Sequence, residues 1–311
     1  MIISITAKMG SGKDLVGKII QQLILYPYAK SSNLVFENET EIDFIERVCL
    51  DEKWNLPGSG FQIKKWADKL REVSAILLGL KKEFLYTDEF KKMALPTSWN
   101  LIYEEMTCGC DLVMEKWHEN HKCINCGAPT IITSTPMTGR EFLQKIGTNA
   151  MRNGLHPEVW VNALMSEYIL MKGYGYTSDD RNRYAEIVPD KYPNWIVTDT
   201  RFPNEFKAVK EKNAITIKIK RDIHLRYPKQ WEEFRKIFQY ENLVTEVKFI
   251  EWLQKHTDEE YKNLGFAIVH PSETSLDNLE NEFKYIIENN GTIEELILKV
   301  KEILIKENII K

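Results

Sequence analysis

The opening of the chain constrains it most. Ile2-Ile3-Ser4-Ile5-Thr6 is a short β-branched run of the kind that fills a buried strand. Ala7-Lys8-Met9-Gly10-Ser11-Gly12-Lys13-Asp14 follows at once, with glycine at two alternate positions. Residues without a Cβ let the backbone bend tightly and turn its N–H groups toward one point. Apolar residues then recur at Leu15, Ile19 and Leu23, so a helix is expected from Asp14 to about Leu25. Strand, glycine turn and helix in this order direct a helix N-terminus, with its partial positive charge, at whatever the turn holds.

The turn resembles the Walker A loop, G-x-x-x-x-G-K-[ST], and the order is the opening of a P-loop fold. On that reading Lys8, Met9, Gly10, Ser11, Gly12, Lys13 and Asp14 bind ATP, and Lys13 reaches its β- and γ-phosphates. Two positions depart from the pattern. Ala7 stands for the first glycine, and Asp14 for the hydroxyl residue that touches Mg²⁺. A carboxylate suits Mg²⁺ directly or through water.

A second acid is expected at the end of a neighbouring strand. Trp195-Ile196-Val197-Thr198 is an apolar run that ends in Asp199, and Arg201 follows two residues later. Ligands of α/β folds sit at such carboxyl edges. Planar guanidinium groups neutralise charge in phosphoryl transfer without giving up a proton. Lys13, Asp199, Arg201 and Arg221 are therefore the candidate catalytic residues, with Arg226 a further lid candidate. The plainer alternative has Asp199 capping the next helix and Arg201 on the surface.

Residues 30–60 are polar and irregular, closed by a turn at Pro57 to Gly60. Helices are expected at about Lys64–Leu78, from Thr138 to about Asn153, and from Pro157 to about Met171. Residues 173–194 read as a loop. A strand is expected at Ala214–Ile219, a charged helical stretch at 222–262, a last short strand at Phe266–Val269, and a final helix after Thr292. Arg140, Gln144 and Thr148 stand four apart, so they share one helix face. A guanidinium, an amide and a hydroxyl there suit a phosphate and a base edge.

The cysteines point to a metal. Cys108-Gly109-Cys110 and Cys123-Ile124-Asn125-Cys126-Gly127 make two close pairs that together suit a tetrahedral S₄ site for structural Zn²⁺. Cys49 stands apart. The net charge of -4 argues against a nucleic-acid surface. No apolar stretch reaches membrane-spanning length. The first ten residues lack the charged region and cleavage site of a signal peptide, so a cytoplasmic protein is expected.

Together these motifs resemble the deoxynucleoside monophosphate kinases of bacteriophages. The likeness rests on Ser11-Gly12-Lys13-Asp14, on Trp66-Ala67-Asp68-Lys69-Leu70-Arg71-Glu72, and on Arg140 to Thr148 with Arg152 and Pro157-Glu158-Val159-Trp160. It also rests on Asp199-Thr200-Arg201-Phe202-Pro203-Asn204-Glu205, on His270-Pro271-Ser272-Glu273, and on Ile287 to Thr292. Trp66 and Lys69 depart from the family's Phe and Pro. The resemblance implies an α/β P-loop kinase, with ATP and Mg²⁺ as donor and a deoxynucleoside monophosphate as acceptor. It implies that Arg71, Arg140, Gln144, Thr148, Arg152 and Trp160 line the acceptor site, and that the protein works in the host cytoplasm if a phage encodes it.

The expected organisation is a parallel-sheet core flanked by helices and interrupted by two insertions. Residues 1–103 carry the P-loop and acceptor helices. Residues 104–132 form a zinc-ribbon-like module. Residues 133–221 continue the core, 222–262 form a helical lid, and 263–311 supply the last strand and the C-terminal helix. A homodimer is left open. The competing functions are a small-metabolite kinase of the dephospho-coenzyme A kinase type and a nucleic-acid-binding P-loop protein.

Overall fold

The computed structural model describes residues 1–50, 60–106, 130–178, 183–238 and 244–311. Among them the strands are β1 (Ile2–Ala7), β2 (Phe61–Lys64), β3 (Leu101–Met106), β4 (Thr130–Thr135), β5 (Met171–Ser178), β6 (Arg183–Lys191), β7 (Asn194–Val197), β8 (Ile215–Lys220) and β9 (Tyr285–Glu288). The α-helices are α1 (Lys13–Ser31), α2 (Glu41–Leu50), α3 (Trp66–Leu78), α4 (Asp88–Lys92), α5 (Gly139–Gln144), α6 (Val159–Met165), α7 (Pro203–Lys210), α8 (Ile223–Arg226), α9 (Pro228–Ile237), α10 (Glu246–Gln254), α11 (Glu259–Val269), α12 (Pro271–Thr274) and α13 (Ile293–Lys306). The chain forms two compact units, Met1–Asp68 with Trp160–Lys311, and Lys69–Val159.

The first unit is an α/β layer structure. An all-parallel sheet runs β2-β7-β1-β8-β9, with β1 at its centre. Every residue of β1 is buried, as expected for a parallel strand covered on both faces. Alternation then divides its side chains. Ile3, Ile5 and Ala7, with Ile217 and Ile219 of β8, pack against Val16, Ile19, Ile20 and Leu23 of α1. Those four helix positions follow the i, i+3, i+4, i+7 spacing of a buried stripe. Leu296, Ile297, Val300 and Leu304 of α13 join the same cluster. Removing one such buried aliphatic side chain costs about 2–5 kcal/mol.

The opposite face is half polar. Ile2, Trp195 and Val197 meet Trp66, Val161, Leu164 and Val209 there. Ser4 and Thr200 are also buried, with their hydroxyl oxygens 2.9 Å apart, and the Trp66 indole N–H donates to Thr200 Oγ1 at 3.1 Å. Lys218 of β8 lies on this face and pairs with Glu280 at 3.3 Å. The polar seam is therefore held by its own partners near the carboxyl edge of the sheet. Helices α8 to α11 have a separate core of Ile223, Phe234, Phe249, Leu253 and Ile268, lined with aromatic contacts such as Trp231 on Phe249 at 5.0 Å.

The second unit packs Ala75, Leu85, Phe90, Leu95, Met137 and Phe142 into its own core. β3 and β4 pair antiparallel and lead into and out of residues 107–129. Thr138 and Glu141 cap α5 reciprocally: Thr138 Oγ1 accepts from the Glu141 N–H at 3.2 Å, and Glu141 Oε2 from the Thr138 N–H at 2.7 Å.

Three local expectations are overturned. Residues 30–60 hold a helix, α2, whose Phe44, Ile45, Val48 and Cys49 are buried. Thr40 and Asp43 exchange capping bonds of 3.2 and 3.0 Å at its start, a signal written in the sequence. Residues 173–194 are not a loop, because β5 and β6 pair antiparallel across most of them. Tyr174, Tyr176, Tyr184, Ile187 and Val188 are strand formers, and they outweigh the interspersed glycines. Phe266–Val269 belongs to α11, not to a strand. Asp258 caps that helix at the Glu260 and Tyr261 N–H groups, and the last strand is β9. A four-residue apolar run is compatible with either element, and the cap decides it.

No helix among the described residues is long and apolar enough to cross a membrane.

Candidate active site

β1 delivers the chain to the carboxyl edge of the sheet at its centre, and the turn to α1 begins there. Gly10 has φ 79° and Gly12 φ 90°, the left-handed region that side chains resist. The Ser11 N–H donates back to Lys8 O at 3.1 Å, and the Asn289 amide donates to Ser11 O at 3.0 Å. A Cβ on Gly12 would stand 2.9 Å from the Asn289 nitrogen, so a side chain there would displace the brace. The N–H groups of Gly10, Gly12, Lys13 and Asp14 have no internal acceptor among the described residues. They head a helix of 19 residues, with the Lys13 ammonium beside them. Free N–H groups, a helix dipole and a lysine together are a receptacle for an anion.

Asp14 is the centre of a small charged cluster. Lys13 Nζ lies 2.7 Å from its Oδ2, and Lys65 Nζ lies 2.8 Å from its Oδ1. The Thr198 hydroxyl donates to Oδ1 at 3.4 Å. Burial works to raise the Asp14 pKa, but hydrogen bonds and charge from the two lysines outweigh it and hold the carboxyl at about 2. Lys65 follows β2 and Thr198 follows β7, so three neighbouring parallel strands each supply part of the cluster at their carboxyl ends. Lys65 was not among the residues expected from sequence.

The Asp199 carboxylate is engaged by backbone amides. Its Oδ1 accepts from the Trp66 N–H at 2.8 Å and its Oδ2 from the Ala67 N–H at 3.3 Å. It therefore caps α3, a helix distant in sequence, and not the helix that follows it. Burial pushes its carboxyl above the ordinary value, against the pull of these amides and of Arg201.

Arg201 is not loose on the surface. Its Nη1 pairs with Glu273 Oε1 at 2.5 Å and approaches Ser272 Oγ at 3.4 Å. Glu273 Oε2 also accepts from the Met9 N–H of the loop at 2.5 Å. The carbonyl of the same residue accepts from Arg226 Nη1 at 3.5 Å and from the Tyr227 hydroxyl at 3.4 Å. The Arg226 side chain is buried and pairs with Glu246 at 3.5 Å. Beside the loop a cavity of about 550 Å³ is lined by Thr6, Lys8, Arg201, Arg221, Arg226 and Glu273, among others. Arg221 reaches it with no ion pair or hydrogen bond among the described residues, and its Nε is buried without a partner.

The second unit carries most of the residues expected at an acceptor. Arg140, Gln144 and Thr148 are exposed, whereas Phe142 and Gly147 on the other side are buried. From Lys145 to Asn153 the helix widens into π-type turns. In α geometry an i, i+4 step overshoots a full turn by about 40°. In the wider turns it falls short, so Thr148 and Arg152 return toward the line of Arg140 and Gln144. Such widening collects in functional helices. The Arg71 guanidinium lies 4.2 Å from the centre of the Tyr86 ring. Arg152 is half-buried. Trp160, in the first unit, is buried in α6.

Cys108, Cys110, Cys123 and Cys126 lie outside the described residues. Within those residues no three His, Cys, Asp or Glu side chains gather as metal ligands. Cys49 is buried, and burial pushes its thiol up to about 12, which leaves it inert. No protein-family model matches the chain, and no curated protein matches it.

Proposed function

We propose that this protein is a P-loop phosphotransferase that passes the γ-phosphoryl group of ATP to a deoxynucleoside monophosphate, in the manner of the bacteriophage kinases it resembles. The observation that carries the reading is the anion receptacle: four unpartnered N–H groups at the head of α1, with Lys13 beside them. The β- and γ-phosphates satisfy those donors, and Lys13 follows the transferring charge. Lys13 and Lys65 now share one carboxylate, so an incoming triphosphate exchanges for it at both ammonium groups. Catalysis is positioning and charge neutralisation, with no covalent intermediate.

Asp14 and Thr198 carry hard oxygens that would hold a Mg²⁺ ion arriving with ATP. When bound, the ion neutralises charge between the β- and γ-phosphates. Asp199 supports the site by fixing α3. Arg201 and Arg221 line the cavity beside the loop, where they meet charge that develops on the phosphates. The exposed face of Arg140, Gln144 and Thr148, with Arg71 and Arg152, receives the acceptor. Helices α8 to α11 act as the lid, and the four clustered cysteines bind structural zinc.

The test is ADP release from ATP in a coupled assay, against each deoxynucleoside and ribonucleoside monophosphate in turn. Turnover is expected with at least one deoxynucleotide and is abolished in a folded Lys13→Ala variant. No ADP release with any monophosphate, or full activity of Lys13→Ala, overturns the reading.

A further inference from the structure

Met9 of the loop is held by side chains from elsewhere in the chain. Its N–H is taken by Glu273, and its carbonyl by Arg226 and Tyr227. One residue of the loop is thus gripped at both of its backbone polar groups by residues from elsewhere in the chain. The Glu273 side chain is only 5% exposed, and its two oxygens are divided between two tasks. Oε2 holds the loop, and Oε1 holds Arg201. A buried carboxylate with one backbone donor and one guanidinium is fully engaged, and such charge-assisted bonds are short and directional.

We infer that Glu273 is a positioning residue of the transfer reaction, which sets the Arg201 guanidinium and the phosphate loop in register through one carboxylate. The inference rests on the function proposed above. Arg201 has an arginine's long, flexible stem and cannot hold one orientation unaided. Its aim is fixed by a salt bridge to a group that is itself pinned to the loop that binds phosphate. Shape of the loop and aim of the arginine become one property. Pro271 begins α12 and the His270 side chain accepts from the Ser272 N–H at 3.2 Å, so the short helix that carries Glu273 is locally fixed.

The two oxygens can be separated by substitution. Glu273→Gln keeps a carbonyl oxygen for the Met9 N–H but removes the charge that holds Arg201. Glu273→Ala removes both. In a wild-type enzyme that turns over, Glu273→Gln should lower kcat about tenfold or more with the KM for ATP little changed. Glu273→Ala should lower kcat and also raise the KM for ATP. Adding Arg201→Ala to Glu273→Gln should cost little beyond Arg201→Ala alone, because both changes remove one aimed guanidinium. Thermal melting and inorganic phosphate binding report on fold and loop independently of turnover.

Equal kcat in wild type and Glu273→Gln, or full additivity with Arg201→Ala, overturns the inference while leaving the kinase reading intact. A loss of kcat in Glu273→Gln accompanied by a lowered melting point in proportion also overturns it, since that pattern marks a purely structural carboxylate. Absence of turnover in wild type fails the kinase reading itself. In that case phosphate affinity decides the loop half of the inference: it should weaken in Glu273→Ala and persist in Glu273→Gln, and equal affinity in the two overturns it.

Discussion

Lys65 Nζ lies 2.8 Å from Asp14 Oδ1, on the side of the carboxylate opposite to Lys13. Asp14 therefore stands between two ammonium groups at the head of the helix that presents the free N–H donors. The pair explains how a carboxylate is tolerated beside free N–H donors at a helix head: two ammonium groups already meet its charge. It also joins β2, through the residue that follows it, to the first turn of α1.

The first prediction concerns acid. The Asp14 carboxyl is held at about 2, below its ordinary 3.8. A depressed folded pKa contributes stability that is present above the ordinary value and is lost as pH falls toward the folded one. Lys65→Ala removes one of the two groups that hold it down, so the Asp14 pKa should rise toward its ordinary value. Carboxyl-detected NMR titration of the two proteins between pH 5 and 1.5 measures this, within the range where the fold persists. An unchanged midpoint in Lys65→Ala would show that the pair does not form in solution. The stability change should be small, because Asp14 is half exposed and solvent screens the pair.

Asp199 gives a prediction of opposite sign. Burial raises its pKa, so the native state takes up a proton more readily than the unfolded chain. Its contribution is least unfavourable below the unfolded pKa, and stability falls as pH rises through the folded value. Asp199→Asn removes that titration and keeps one acceptor for the amides of α3. Loss of a helix cap costs about 1 kcal/mol. Urea denaturation of Asp199→Ala, which removes both acceptors, should show a loss of that order at neutral pH, whereas Asp199→Asn should show a flatter stability profile in mild acid. Turnover should keep its Mg²⁺ dependence. A shifted Mg²⁺ optimum in Asp199→Asn would instead return Asp199 to the metal.

How much of this was legible in the sequence follows from the range of each interaction. β1, the turn and α1 were readable because strand former, glycine and helical stripe lie within 25 residues of one another. The sheet strands at Trp195 and Ala214 were readable for the same local reason. Lys65 is not legible because its meaning comes from Asp14, 51 residues earlier in the first turn of α1. Glu273 could be picked out only as part of a motif, since its partner Met9 is 264 residues away. The cap on α2 was local and readable, at Thr40 and Asp43, but was obscured by the polar residues around it. The assignment of Phe266–Val269 failed because four apolar residues carry no period of their own.

The exposed face of Arg140, Gln144 and Thr148 gives the third prediction. Arg140 is exposed on α5, in line with Gln144 and Thr148, and the wider turns after Gln144 bring Arg152 back toward that line. Arg140→Ala should raise the KM for the acceptor at least about tenfold, which is the value of a charge-assisted hydrogen bond to phosphate. The KM for ATP should move far less, and the melting point should not fall, because the side chain is on the surface. An effect equal for both substrates, or larger for ATP, would take this helix out of acceptor binding.

The last prediction is zinc. Cys108, Cys110, Cys123 and Cys126 are spaced as two close pairs, and β3 and β4 bring the chain into and out of that stretch as an antiparallel ribbon. Four thiolates at such spacing bind one Zn²⁺ tetrahedrally, and metal binding then supplies local folding energy that a short polar segment lacks. About one zinc per chain is expected in protein purified without chelator. Replacing Cys123 and Cys126 by Ser should release it. Protease cleavage within 107–129 should become faster, because the thiolate cross-link is gone. ATP binding should persist, since the phosphate loop belongs to the other compact unit and uses no thiol. Elemental analysis of wild type and double variant, with nucleotide binding followed in parallel, makes the comparison. A wild type without zinc, or a double variant that retains it, would remove the metal from this protein.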